Sequence, residues 1–294
     1  MVVMAAVLWG TTGTAQAFAP AGATPLAVGA VRLVLGGLGL LALALLVGQR
    51  WRNRPGAWPV VAMGAIGIAV YQLSFFAGVH RTGVAVGTVV AIGSAPILAG
   101  LLAWMVDQRR PDGRWLVATL LALAGCGLLM AAGDAAVTVD AIGVLLAIGA
   151  GGSYAVYALA SKLLLADHPA EITMAVVFCG GALLVLPLLW VVDLSWLAQP
   201  AGLAVAAHLG LITVTLAYVL FGRGLQVTPL ATAVTLTLAE PLTAALLGLF
   251  VLGEQLTAAM GLGIVLLLAA LSILAASGAA LRRRRPAAPV NESP

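Results

Sequence analysis

Two formal charges, Arg32 and Glu240, fall inside long apolar runs of a chain in which only 8% of residues are charged. An ionisable group in hydrocarbon is expensive unless it is buried in protein or lines a wet cavity, so each marks a place where something polar is handled. Other apolar runs carry hydrogen-bonding side chains: Trp9 and Thr12, then Tyr71 and Gln72, Ser94, Tyr154 and Tyr157, Tyr218, and Thr237 just before Glu240. These residue types bind and orient a solute; they do not by themselves break bonds. His80, His168 and His208 are scattered, and there is no H-E-x-x-H, no G-x-S-x-G and no metal-spaced cluster, which argues against an intramembrane enzyme. No cofactor and no metal are expected, and without a P-loop motif no ATP site is expected either.

Each of these residues also has a plainer use. Ser and Thr hydroxyls bond back to their own helix or tie neighbouring helices together, and Tyr71 serves equally well as a packing aromatic. Arg32 lies roughly 9 Å below the outer end of its run at 1.5 Å per residue, close enough for an extended side chain to snorkel outward. It reads as a structural intramembrane charge. Glu240 sits near mid-depth and reads as a pathway group or a carrier of a coupling proton. Pro96 and Pro241, both near mid-span, remove a backbone donor and crowd the preceding turn. They are either static bends or a matched pair of flexures.

The elements that must position these groups follow from composition. A chain with 63% hydrophobic residues and a mean hydropathy of +1.13 cannot cover itself with a water-compatible surface. Apolar runs long enough to cross a bilayer fall near residues 2–18, 26–48, 57–79, 84–106, 115–133, 142–164, 172–192, 203–222, 229–252 and 258–281. Proline and glycine turns separate them, at Pro20 to Pro25, Arg54-Pro55-Gly56, Pro111-Asp112-Gly113, His168-Pro169 and Gln199-Pro200. At an offset of 145 residues Pro96 falls on Pro241, Ala99 on Ala244, Leu101 on Leu246, Leu102 on Leu247 and Val106 on Val251. Five spans per half is an odd number, so the halves cross the bilayer in opposite senses. The expected fold is therefore an all-α polytopic membrane protein, ten transmembrane helices as two inverted five-helix repeats. The turn-like stretch from Gly133 to Ala141 is the natural joint between the halves, and a basic tail follows at 282–294.

Cytoplasmic loops collect Lys and Arg. With the N-terminus inside, twelve of the fourteen basic residues lie on the cytoplasmic face, Arg81 alone lies outside, and Arg32 lies in a span. Both termini are accordingly expected in the cytoplasm, with the RRRR run at 282–285 acting as a stop beside anionic headgroups. The basic residues sit in short loops and a tail, not on a dense face, which excludes a nucleic-acid partner. Cys126 and Cys179 fall in apolar spans and read as small packing residues, not as a disulfide. Ala15-Gln16-Ala17 imitates a signal-peptide cleavage site, but no basic residue precedes the apolar run, so it reads as a retained first span.

The motifs LWGTTG at 8–13, an Arg early in the second span, APILAGLL at 95–102 and AEPLTAALLGLFVLGE at 239–254 resemble the drug/metabolite transporter superfamily, and more narrowly its ten-helix EamA-type members. The likeness runs along essentially the whole chain. Where the second half has Gly253-Glu254, the first has Asp107 followed by QRRPDG, so the acidic end of the motif is not reproduced. The resemblance implies two EamA repeats, at 2–132 and 142–277, around a central pathway built from spans 1, 3, 4, 6, 8 and 9. Those spans also carry nearly all the polar residues named above. The function expected is a secondary transporter in the cytoplasmic membrane, moving small metabolites such as amino acids, amines or carboxylates outward by alternating access, with proton coupling as the candidate energy source and a monomer or homodimer as the working unit. Efflux of lipophilic or cationic drugs is the alternative within transport. A channel or a structural membrane protein is the alternative outside it, although no ring of like groups marks a selectivity filter.

Overall fold

A computed structural model of the chain describes residues 1–108, 111–131, 140–253 and 255–283. Most of the expected joint between the halves, Arg109 and Arg110, Glu254, and the tail beyond Arg283 lie outside the described residues. Within them the protein is a bundle of ten helices: α1 Val2–Ala17, α2 Pro25–Leu46, α3 Ala57–Gly83, α4 Val86–Val106, α5 Gly113–Ala131, α6 Ala141–Leu164, α7 Ala170–Trp190, α8 Pro200–Val227, α9 Leu230–Val251 and α10 Ala258–Arg283. Eight of them are long and apolar enough to cross a membrane, and α5 contains a shorter apolar stretch, Gly113–Leu129. With no water in the hydrocarbon to satisfy backbone groups, helices that bond within themselves are the structure such runs must take.

Local chemistry decides where the helices begin and bend. The Thr24 hydroxyl accepts from the Ala27 amide, and Pro25 takes the first helical position of α2, where no donor is missed. The Asp140 carboxylate accepts from the amides of Ile142 and Gly143 at the start of α6. Between α3 and α4 the chain does not open into a loop of several residues as the apolar runs suggest. It turns at Gly83 alone, whose φ of 80° and ψ of 161° lie where only glycine is at ease. The turn opens a Gly83-x-x-x-Gly87 spacing. In α8 the segment His208–Leu216 winds as a π-helix, and α7 ends in a 3-10 turn, Leu186–Trp190.

The two matched prolines have different outcomes. Pro96 lies inside a helix with no interruption around it. Helix α9 breaks at Thr237 and Leu238 into Leu230–Leu236 and Ala239–Val251, and Pro241 occupies the first turn of the second piece. There its missing N–H is one the helix would have left unpaired in any case.

Packing pairs the helices so that exchanging the halves maps the arrangement onto itself. Helix α1 packs on α9 as α6 packs on α4, and α2 packs on α8 as α7 packs on α3, while α5 with α10 and α2 with α7 are their own images. Small residues permit the close approaches: Gly37 of α2 lies against the Phe178 backbone of α7, and Gly64 of α3 lies against Val177. The Thr215 hydroxyl of α8 donates to the Gly36 carbonyl of α2 at 3.2 Å, and the Cys179 thiol donates to the Gly37 carbonyl at 3.3 Å.

The loops sort onto two faces. On one, Arg81 at the end of α3 pairs with Asp140 before α6 at 3.0 Å, and Gly22 approaches Asp193. On the other, Trp51 stacks on His168 with ring centroids 4.0 Å apart, and the His168 ring contacts the Arg52 carbonyl at 2.8 Å. There too the Lys162 ammonium of α6 donates to the carbonyls of Gln226 at 3.1 Å and Thr228 at 2.9 Å, closing the end of α8. Arg223 of α8 pairs with Glu171, which stands in the first turn of α7.

Candidate functional site

Four helices each turn one stripe towards a common space. Trp9, Thr12, Gly13 and Gln16 on α1 stand three, four and seven residues apart, and so do Gln72, Phe75, Phe76 and Val79 on α3, Thr88, Ala91, Ile92 and Ala95 on α4, and Thr237, Glu240, Pro241 and Ala244 on α9. Such spacing puts side chains on one helical face. The four faces, with Pro25 and Arg32 of α2, Tyr71 of α3, Tyr154 of α6 and Tyr218 of α8, enclose a cavity of about 340 Å³.

The cavity has a floor and a mouth. Gln16, Pro25 and Val79 lie near the helix ends that meet the loop between α1 and α2 and the Gly83 turn, so the cavity reaches the face bearing the Arg81–Asp140 pair. Trp9, Tyr154 and Tyr218 lie at the other end, roughly 10 Å deeper than Gln16 along α1. Below them the aromatics close ranks. Trp9 stacks at an angle on Tyr218 at 4.8 Å and on Phe221 at 5.5 Å, and Phe178 meets Tyr218 at 4.3 Å. Ala5, Ala6, Tyr157 and Phe221 behind this layer are fully buried. The opposite face is sealed by these rings and by the Lys162, Glu171 and Arg223 contacts.

The cavity wall carries unspent hydrogen-bonding capacity. Trp9 Nε1, Gln72 Nε2 and the Tyr154 hydroxyl are buried and have no partner within the protein, although these residues are only 5%, 7% and 8% exposed. Buried donors are ordinarily satisfied, so unpaired ones on residues that line a cavity are candidates to meet a ligand or water there, with Gln72 Nε2 lying against Gly29 of α2. Arg32 and Glu240 are the two charged residues among the described lining, and no Arg32 nitrogen lies within 4.0 Å of the Glu240 carboxylate. Glu240 also stands in the first turn of the Ala239–Val251 half-helix, where its own amide donates to the Thr237 carbonyl at 2.9 Å and Pro241 has no N–H to offer. Broken helices beginning at mid-membrane are where transporters of this architecture hold their cargo.

Of the residues singled out from the sequence, Trp9, Thr12, Tyr71, Gln72, Tyr154, Tyr218, Thr237 and Glu240 line the cavity, together with Arg32 and Pro241. Ser94 and Tyr157 are not among its lining. The Ser94 hydroxyl bonds back to the Ala91 carbonyl at 3.1 Å against Gly151, and the Tyr157 hydroxyl donates to the Met174 sulfur at 3.3 Å beneath the floor. Pro96 lies one residue past Ala95, outside the lining. The Thr237 hydroxyl donates to its own helix at Val234 over 2.7 Å and offers the cavity only lone pairs. Phe75 and Phe76 went unnoticed in the sequence; their place three and four residues after Gln72 was the available signal.

The halves contribute unequal chemistry to equivalent places. At the 145-residue offset Trp9 corresponds to Tyr154 and Ala95 to Glu240, and all four line the cavity. The carboxylate belongs to the second half alone, and Arg32 to the first.

Two segments of the chain, residues 1–131 and 141–276, each match the profile of the EamA-like transporter family. The uncharacterized transporter YwfM of Bacillus subtilis (strain 168) is 50% identical over 276 residues, covering 94% of this chain and 93% of its own. The threonine/homoserine exporter RhtA of Escherichia coli (strain K12) is 32% identical over 266 residues, covering 87% of this chain and 83% of its own. A crystal structure with 21% sequence identity superimposes with a TM-score of 0.81, covering 95% of this chain and 97% of that one.

Proposed function

This chain belongs to the EamA-like transporter family and is a multi-pass membrane transporter, and on that premise we propose that it is a secondary transporter exporting small polar metabolites, amino acids foremost, from the cytoplasm by alternating access. The observation that carries this reading is the central cavity: an apolar and aromatic wall set with a few polar and charged groups, near the middle of the bundle, lined from both halves, open towards one face and sealed towards the other. A channel would need a path to both faces. By the distribution of Lys and Arg the sealed face is the cytoplasmic one, so the protein stands open to the outside with both termini in the cytoplasm. Export then requires the bundle to rock until the aromatic floor parts and the Arg81 side closes.

The sequence segments 2–132 and 142–277 act as the two repeats that rock, and Glu240 is the group placed to exchange cargo for a proton. The name of the RhtA relative, a threonine/homoserine exporter, supports the amino-acid class. A second reading, efflux of lipophilic cations, is favoured by one feature: Trp9, Tyr71, Phe75 and Phe76 share the cavity with the Glu240 carboxylate, an arrangement suited to an organic cation. Purified protein in liposomes, screened for counterflow of amino acids and of cationic drugs without ATP, separates these. Saturable counterflow of an amino acid supports export of metabolites; counterflow confined to hydrophobic cations supports the second reading, and no saturable flux of any solute overturns both.

A further inference from the structure

We propose that the cavity reads a zwitterion by its two ends, Arg32 taking the carboxylate and Glu240 the ammonium, so that neither simple amines nor simple acids are its preferred cargo. The inference rests on the transport reading for its context, but it concerns recognition and is tested as binding. Opposite charges facing one desolvated space normally find each other. Here they do not: the ion pairs among the described residues are Arg81–Asp140 and Arg223–Glu171, and Arg32 has neither a hydrogen bond nor an ion pair within the described protein. Two such charges, coupled through space but not in contact, leave one positive and one negative site without a contact partner on the walls of one cavity. A net-neutral solute carrying both charges satisfies them together, whereas a singly charged solute satisfies one and leaves the other stranded.

The surroundings sort the two ends. Arg32 is on α2, which packs beside α3, where Gln72 Nε2 is one of the donors left without a partner. A guanidinium and an amide donor suit carboxylate oxygens. Glu240 is an acceptor, and beside it the Thr237 hydroxyl, already donating to Val234, has only its lone pairs to offer. Two acceptors suit an ammonium.

The test is calorimetric titration of the full-length purified protein with three matched sets: alanine, ethylamine and propionate; threonine, 1-amino-2-propanol and 3-hydroxybutyrate; phenylalanine, phenethylamine and 3-phenylpropionate. At least one amino acid should bind about tenfold or more tightly than both of its singly charged analogues, the loss expected when one charge-assisted contact goes unmade. Arg32→Gln should bring that amino acid down to the level of its amine while leaving the amine within about twofold, Arg32→Lys should restore part of the difference, and Glu240→Gln should do the mirror image with the acid. The wild-type comparison stands even if a variant fails to fold. Amines binding as tightly as amino acids, no binding by any of the three amino acids, or unchanged amino-acid affinity in folded Arg32→Gln each overturn the proposal. Flux assays in liposomes keep the two ideas apart: saturable transport of phenethylamine with no preference for phenylalanine leaves the transport reading intact and removes this one, and zwitterion-selective binding without any flux does the reverse.

Discussion

The Trp9 indole and the Tyr218 ring lie 4.8 Å apart, centroid to centroid, and the central cavity ends on them. Trp9 therefore has two duties: its ring closes the floor with Phe221, and its Nε1 is a buried donor without a partner. Trp9→Phe separates them, keeping an aromatic floor while deleting the donor. The expected result is normal folding with a KM raised by about two- to tenfold, the span of one neutral hydrogen bond. An unchanged KM would mean that Nε1 meets nothing that is transported.

The seal on the opposite face is asymmetric in its burial. In the Arg223–Glu171 pair the arginine side chain is 51% exposed and the glutamate 8%. Arg223→Leu should therefore destabilise the detergent-purified protein by about 2 kcal/mol, because it strands a buried carboxylate. Glu171→Gln should cost about 1 kcal/mol or less, because the guanidinium it releases is already in water. Thermal unfolding of the two single variants checks the order, and equal losses would refute the burial argument.

On the mouth side, Arg81 bonded to the Asp140 carboxylate, together with the Ile142 amide, holds that carboxyl below its ordinary pKa. A carboxyl lowered in the folded protein contributes stability above its unfolded pKa and loses it as pH falls through the folded value. Between neutral pH and about pH 3 the melting temperature should thus fall more steeply in the wild type than in Asp140→Asn, where no carboxyl remains to protonate. Parallel curves would show that the contact does not contribute.

Much of this was legible beforehand, because the bilayer leaves few choices. Apolar runs of about twenty residues must be helices, and polar residues inside them must face protein or water, so Trp9, Gln72, Tyr154 and Glu240 could be picked out one at a time. What stayed hidden depended on geometry that no single residue declares. Gly83 looks like one more packing glycine until its φ of 80° shows that it is the whole turn. Pro96 and Pro241 are equivalent in sequence, yet only the second follows a break, since the Thr237 and Leu238 amides bond three residues back, to Val234 and Thr235, while the helix around Pro96 runs on without interruption. Ser94 and Tyr157 are polar residues on the right helices, but their helix faces turn them to Ala91 and Met174. Arg32 was read as a structural charge that could reach the headgroups, and its place on the cavity wall follows from how α2 is rotated against α3.

Membrane orientation has a simple test. Ala21 lies in the exposed loop between α1 and α2, and Asn53 in the exposed loop between α2 and α3. An impermeant thiol reagent added to intact cells should modify Ala21→Cys and leave Asn53→Cys untouched. The reverse pattern would invert the assignment of faces, and labelling of both would remove α2 as a span.

The central claim is that cargo passes through this one cavity, and Gly13 permits the most direct test of it. Gly13 lines the cavity on α1, and a Cβ added there would meet no atom within 4 Å, so a side chain can leave the helix into the cavity. Gly13→Trp should therefore fold with an unchanged melting temperature and fill the space. The measurement is counterflow of a labelled amino acid into ATP-free liposomes holding equal amounts of wild-type or Gly13→Trp protein. The account predicts saturable counterflow by the wild type and a loss of at least about tenfold in the variant, the loss if cargo and indole exclude each other from the same space. Wild-type counterflow through folded Gly13→Trp, or flux that rises with concentration without saturating, would contradict it.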